Sequence, residues 1–148
     1  REKYPELILN IVGGQVKDEK TIKELSLQHK GIINYIGPIN NTIELQKIYK
    51  SSHIFAMTSI SETFGLVYVE ALTQGLPLLY SENQGIDGCF TQNIGEAINP
   101  LDIKDITKGL DKIILNYNSY EINDIDFSVF NWKSISNVYY QMYKNITH

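Results

Sequence analysis

No lysine or arginine occurs between Lys50 and Lys104, yet that stretch carries Glu62, Glu70, Glu82, Asp87, Glu96 and Asp102. Either it is a solvated acidic face, or it holds a site whose positive charge does not come from side chains. Cysteine is scarce as well. Cys89 stands alone, which excludes an internal disulfide, fits a reducing compartment and leaves the residue a structural reading. No unbroken apolar run is long enough to span a bilayer, and no targeting segment is visible. The histidines, at positions 29, 53 and 148, are scattered without metal-ligand spacing. His53, at the start of an apolar run, reads as structural. A net charge of −4 argues against nucleic acid or anionic lipid as the main partner.

What remains is an ordinary globular composition, 43% apolar and 20% charged over 148 residues. A single domain of this size buries roughly 68–70% of its unfolded surface, so a core is available. The opening "REKYPELILNIVGG" reads as the end of a helix running straight into a strand. The expectation is a fragment of something longer.

Short apolar runs alternate with helical patterns. Leu7–Val12, Ile32–Ile36, His53–Met57 and Leu78–Tyr80 read as strands, and "GEAINP" as a short fifth. Helices are expected over Asp18–Lys30, over "TIELQKIYKS" behind a capping-box pair Asn41 and Glu44, and over Gly65–Gln74, stopped by Gly75 and Pro77. Two more are expected over Asp102–Tyr117, with Asp102 and Asp105 at its start, and over Asn131–Ile146. Asn116–Asp126 reads as a polar surface loop. Tyr139, Tyr140 and Tyr143 are expected to pack the last helix onto this domain or onto an absent one. The alternation predicts an α/β fold, a Rossmann-like parallel sheet flanked by helices.

In such sheets ligands sit beyond the carboxyl ends of the strands. Those ends are Gly13-Gly14, Gly37-Pro38, the run Thr58 to Glu62, and Ser81 to Gly85. Any one glycine there can be explained by the turn alone; four small or polar ends together point to a crevice. The helix that follows Thr63, Phe64 and Gly65 is apolar on nearly every side, from Leu66 to Leu72, except for Glu70. A carboxylate there either reaches the surface or meets a ligand with hydroxyl donors, such as a ribose. The first-turn amides of that helix lack partners and face the positive end of the dipole, so they can hold phosphate without lysine. Eight residues of helix rise about 12 Å, the scale of a sugar–diphosphate–ribose ligand between Glu62 and Glu70.

The stretch "SISETFGLVYVEALTQGLPLLYSENQGI" resembles the core motif of the retaining glycosyltransferases of family 4, two-domain enzymes of the GT-B fold. The match is Glu62 and Glu70 at their spacing, Phe64-Gly65-Leu66-Val67 between them, and Ala71, Gly75, Leu76 and Pro77 after. "ILNIVGG", "INYIGPI" and "FNWKSISNVYYQMY" resemble flanking pieces of the family's C-terminal domain, so the likeness covers essentially the whole chain. It implies a donor-binding C-terminal domain spanning residues 1–148. It also implies a nucleotide-diphosphate sugar as donor, a sugar or lipid-linked acceptor, retention of configuration by front-face attack and no required metal or cofactor. By position, Glu62 would contact the transferred sugar and Glu70 the ribose. The backbone of Thr63, Phe64, Gly65, Leu66 and Val67 would hold the phosphates and sugar. Gly13, Gly14, Ile36 and Gly37 would border the nucleotide, and Gly85 the sugar.

Thr58-Ser59 departs from the family's usual Pro-Ser. The larger departure is that the family's phosphate-binding Arg and Lys, and its N-terminal acceptor domain, fall outside this chain. Alone it is expected to bind donor without turning over. The resemblance further implies polysaccharide or glycolipid synthesis in the cytoplasm, with peripheral association at the inner membrane face through the absent part. The alternatives are a non-catalytic sugar-nucleotide-binding module, and an epimerase or phosphorylase relative on the same architecture. A receiver domain would need an aspartate where Gly13, Gly37 and Thr58 stand, and a dinucleotide-binding domain would need a third glycine after Gly13-Gly14.

Overall fold

The computed structural model of the chain describes residues 3–14 and 19–146, and these divide into two compact units, Arg1–Ile48 and Tyr49–His148. In the first unit, β1 (Leu9–Val12) is followed by α1 (Glu19–Gln28), β2 (Ile33–Gly37) and α2 (Thr42–Lys50). The expected helix start at Asp18 lies outside the described residues. Strands β1 and β2 pair in parallel, from Leu9 opposite Ile33 to Val12 opposite Gly37. Asn41 Oδ1 accepts from the amides of Ile43 at 2.9 Å and Glu44 at 3.3 Å. That is the N-terminal half of the capping arrangement expected at α2.

The second unit begins with Tyr49, near the end of α2, and continues through β3 (Phe55–Met57), α3 (Leu66–Thr73), β4 (Leu78–Ser81), β5 (Gly95–Ile98), α4 (Ile103–Leu115) and α5 (Trp132–Ile146). Its sheet runs β3–β4–β5 with both pairings parallel. Every residue of β4 is buried, as the middle strand of a covered parallel sheet should be. Leu79, Ile98 and Ile113 form a core against which Ile54, Ile106, Leu110 and Tyr120 pack. Asp102 caps α4, its Oδ1 accepting from the Lys104 amide at 2.8 Å, while Asp105 Oδ2 accepts from the Asn99 amide at 2.8 Å. Both expected aspartates therefore serve the helix start.

Each expected strand and helix is present, with all pairings parallel. The strands fall into a two-stranded and a three-stranded sheet rather than one. Asn116–Asp126 is not a plain polar loop. It winds through short 3-10 turns, Tyr117–Ser119 and Ile122–Asp124, and buries Ile122 and, just past the second turn, Ile125. Of the two alternatives for the tyrosines of the last helix, packing onto this domain or onto an absent one, their exposure speaks against the first. No residue of α5 is buried, and Tyr139, Tyr140 and Tyr143 are exposed. None of the helices is long and apolar enough to cross a membrane, among the described residues.

Candidate functional site

In the second unit, two loops leave the carboxyl ends of neighbouring strands and meet at Glu62. One follows β3 and leads into α3; the other follows β4. The Gly85 amide donates to the Glu62 carbonyl at 3.1 Å, and the Glu62 amide donates to Gln84 Oε1 at 3.2 Å. The backbone of Glu62 is thus held on both sides. Its carboxylate is half-buried and accepts from the Thr63 amide at 2.9 Å.

From there the chain turns into α3 through Gly65, which caps the helix in the left-handed region at φ 73° and offers no side-chain cap. A side chain at this position would stand 2.6 Å from the Tyr68 ring. Glycine therefore serves both the turn and the close approach of Tyr68. Gly65's carbonyl accepts from the Tyr68 amide at 2.9 Å. The opening amides of α3, those of Leu66 and Val67, have no acceptor within the helix. Tyr68 is 1% exposed, and its hydroxyl donates to the Met57 carbonyl at 2.9 Å. Burial, and next the charge of Glu62, push its phenol up to about 12. Phe64 rests with its ring 6.0 Å from that of Phe130, which lies 5.7 Å from that of Phe90.

Glu70 is two helical turns from Glu62 by sequence but not by geometry. The helix begins only at Leu66, so the helical rise separating the start from Glu70 is about 6 Å rather than the full span expected. Nor is α3 buried all round. Tyr68, Ala71 and Leu72 face the core, whereas Leu66 is 70% exposed and Glu70 reaches solvent. The lone charge on an apolar helix is explained in part by that exposure. The other part is a partner that sequence reasoning missed: the hydroxyl of Tyr49 donates to Glu70 Oε2 at 3.2 Å. Tyrosine at the end of an amphipathic helix gave no signal for this. Among the described residues neither Glu62 nor Glu70 joins an ion pair, whereas Glu96 has Lys112 at 2.9 Å and the Tyr120 hydroxyl at 3.1 Å. Within the acidic run, Glu96 is thus neutralised by a lysine, whereas Glu62 and Glu70 have no ion-pair partner among the described residues.

Other expected site residues lie in the first unit and form their own cluster. The Gly13 amide donates to the Gly37 carbonyl at 2.9 Å, and the Tyr35 hydroxyl to the Gly13 carbonyl at 3.1 Å. Gly14 packs against the Pro38 ring, Ile36 is exposed, and a side chain at Gly13 or Gly37 would meet nothing within 4 Å. There is thus room for a side chain at the ends of β1 and β2, although Gly37 itself is buried. Cys89 is exposed, its Sγ 3.5 Å from the Gly85 carbonyl. His53 is exposed with its ring edge-on to Tyr117 at 6.3 Å.

Parallel strands flanked by helices, with the loops after β3 and β4 meeting at a carboxylate ahead of α3, give a Rossmann-like α/β build. The chain belongs to the glycosyl transferases group 1 family, which it matches over residues 1–123. It is 31% identical over 145 residues to the O-antigen biosynthesis glycosyltransferase WbnH of Escherichia coli, a match covering 97% of this chain and 39% of that protein. It is 26% identical over 139 residues to an uncharacterized glycosyltransferase of Methanocaldococcus jannaschii, covering 88% of this chain and 35% of that one. Among solved structures, sucrose-phosphate synthase from Thermosynechococcus elongatus superposes with a TM-score of 0.75 at 20% identity, over 98% of this chain and 40% of that one. The shared fold is that of the GT-B glycosyltransferases. The chain thus spans well under half the length of these relatives.

Proposed function

We propose that this chain is the C-terminal, donor-binding half of a retaining family 4 glycosyltransferase, and that it binds a nucleotide-diphosphate sugar. The observation that carries the reading is the junction of the β3 and β4 loops at Glu62, held by Gly85 and Gln84 directly before the uncapped start of α3. First-turn amides that lack an acceptor inside the helix suit a diphosphate. Glu62 is assigned to the transferred sugar and Glu70 to the ribose diol. Thr63, Phe64, Gly65, Leu66 and Val67 are assigned to the phosphates and sugar, and Gly85 to the sugar side. Gly13, Gly14, Ile36 and Gly37 are assigned as further nucleotide contacts.

In the full enzyme an acceptor hydroxyl would attack the anomeric carbon as the bond to the diphosphate oxygen breaks. The acceptor proton would pass to the leaving diphosphate, with no metal required. The N-terminal half would supply the acceptor site and the cations this region lacks. The O-antigen role in one relative's name supports a place in polysaccharide or glycolipid assembly; a site of action in the cytoplasm or at its membrane face is part of the proposal. The test is titration of UDP, GDP and ADP followed by backbone amide shifts, on the chain and on Glu70→Ala. Shifts at Phe64 to Val67 with one nucleotide, weakened by Glu70→Ala, are expected. Absence of any such shift, here and in a protein carrying the N-terminal half, would overturn the reading.

A further inference from the structure

Tyr49 belongs to no part of the proposed contact set, yet it is 8% exposed and its hydroxyl meets the carboxylate of Glu70. Its ring is fixed from below. It lies 6.0 Å from Phe55, tilted at 57°, and Phe55 in turn stands edge-on to Tyr68 at 5.8 Å and 90°. Tyr68 is tied to the Met57 carbonyl at the end of β3. A ladder of three rings therefore runs from the strand that carries the Glu62 loop to the oxygen that meets Glu70. A phenol held this way has one proton to give and one direction in which to give it.

Glu70 itself is exposed on the outer face of α3, where a glutamate side chain otherwise samples several rotamers. A carboxylate has two oxygens. Tyr49 occupies Oε2, and Oε1 receives no hydrogen bond from another described residue. We infer that Tyr49 is a positioning residue that fixes one oxygen of Glu70 so that the other is presented to a vicinal diol of the donor nucleotide. The inference rests on the reading of Glu70 as the ribose contact. The phenol stays protonated through the neutral range, since burial and then the Glu70 charge push it up to about 12, so the donor role does not titrate away where the protein works. Holding a carboxylate in its bound rotamer lowers the entropy lost when the ligand arrives.

The experiment uses the full chain, with Tyr49→Phe, Glu70→Gln and the double variant. The ligands are whichever of UDP, GDP and ADP binds tightest, and its 2′,3′-dideoxy analogue. Phenylalanine keeps the ring on Phe55 and removes only the hydroxyl. The readout is the ratio of the two affinities on one protein, which a general loss of stability does not change. The expected result is that Tyr49→Phe shrinks the preference for the ribose ligand about three- to tenfold, that Glu70→Gln shrinks it at least as much, and that the double variant is no worse than Glu70→Gln. If Glu70→Gln lowers the ratio while Tyr49→Phe does not, or if the two losses add, the positioning role is wrong and the donor reading survives. If Glu70→Gln leaves the ratio unchanged, the diol assignment of Glu70 falls and takes the role of Tyr49 with it.

Discussion

Gly85 donates its amide to the carbonyl of Glu62 at 3.1 Å, and beside that bond there is no room for a side chain. A Cβ on Gly85 would stand 2.9 Å from Glu62 Cγ and 3.0 Å from the Phe64 carbonyl oxygen. The residue also lies at φ 47°, in the left-handed region that costs other residues about 1–2 kcal/mol. Gly85→Ala is therefore expected to lower stability by about 1–3 kcal/mol and to shift the amides of Glu62 to Leu66, with the rest of the spectrum in place. Urea unfolding and an amide spectrum check both. A variant with the wild-type midpoint and unmoved Glu62 to Leu66 signals would mean that the two loops are not joined as described.

The same junction shows what the sequence could reveal. Gly85 and Glu62 were both legible as site candidates, Gly85 as one of several small or polar strand ends taken together and Glu62 by its spacing to Glu70. Their contact was not legible, because hydrogen bonds between loops more than twenty positions apart leave no local pattern. The strands were legible for the opposite reason, since apolar runs such as Leu78–Tyr80 fill a sheet covered on both faces. Composition misled on α3. Six apolar residues around Glu70 suggest a mostly buried helix, yet the core takes only Tyr68, Ala71 and Leu72, leaving Leu66 outside. A helix with little amphipathic contrast does not announce which face it buries. Tyr49 was missed since its role depends on a ring ladder that only the packing of α2, β3 and α3 creates.

Gly109 sets two rules of helix chemistry against each other. It sits inside α4, where replacing glycine by alanine usually gains about 1 kcal/mol. Here the added carbon would lie 2.5 Å from Ile98 Cγ2 and 2.8 Å from Leu79 Cδ1, and both side chains are in the core. Overpacking of that kind costs about 1–3 kcal/mol. Gly109→Ala should be net destabilising, on the order of 1 kcal/mol, by urea denaturation. A gain in stability instead would show that α4 does not approach the sheet closely.

Alkaline pH should act through the buried phenols. Tyr49 and Tyr68 both rise from 10.0 to about 12, each chiefly by burial, then by Glu70 and Glu62 respectively. With the folded value above the unfolded one, their contribution is complete below pH 10 and is lost as the pH climbs through about 12, because only the unfolded chain releases the proton easily. Tyr120 shifts in the same direction, by burial and the Glu96 charge. The unfolding midpoint should fall between pH 10 and 12, and Tyr68→Phe, though less stable at neutral pH for loss of its bond to Met57, should show a shallower fall. An equally steep decline in Tyr68→Phe would argue that this phenol is not the group responsible.

Ser81 offers the reverse case, a polar group whose removal should cost little. It ends β4 and is 1% exposed, and its hydroxyl has no hydrogen-bond partner among the described residues. An unsatisfied buried hydroxyl has given up its water without replacement, and desolvation of that kind costs about 1–3 kcal/mol. Ser81→Ala removes the hydroxyl and leaves the backbone ladder to β5 intact, since Ser81 pairs with Ile98 through main-chain atoms. Alanine there should be neutral or stabilising by up to about 1 kcal/mol, where a serine with a satisfied hydroxyl would lose stability on the same change. Thermal and urea unfolding of the variant decide the point. A loss above about 1 kcal/mol would mean that the hydroxyl does find an acceptor in the folded protein, and that the end of β4 is more tightly bonded than its geometry indicates.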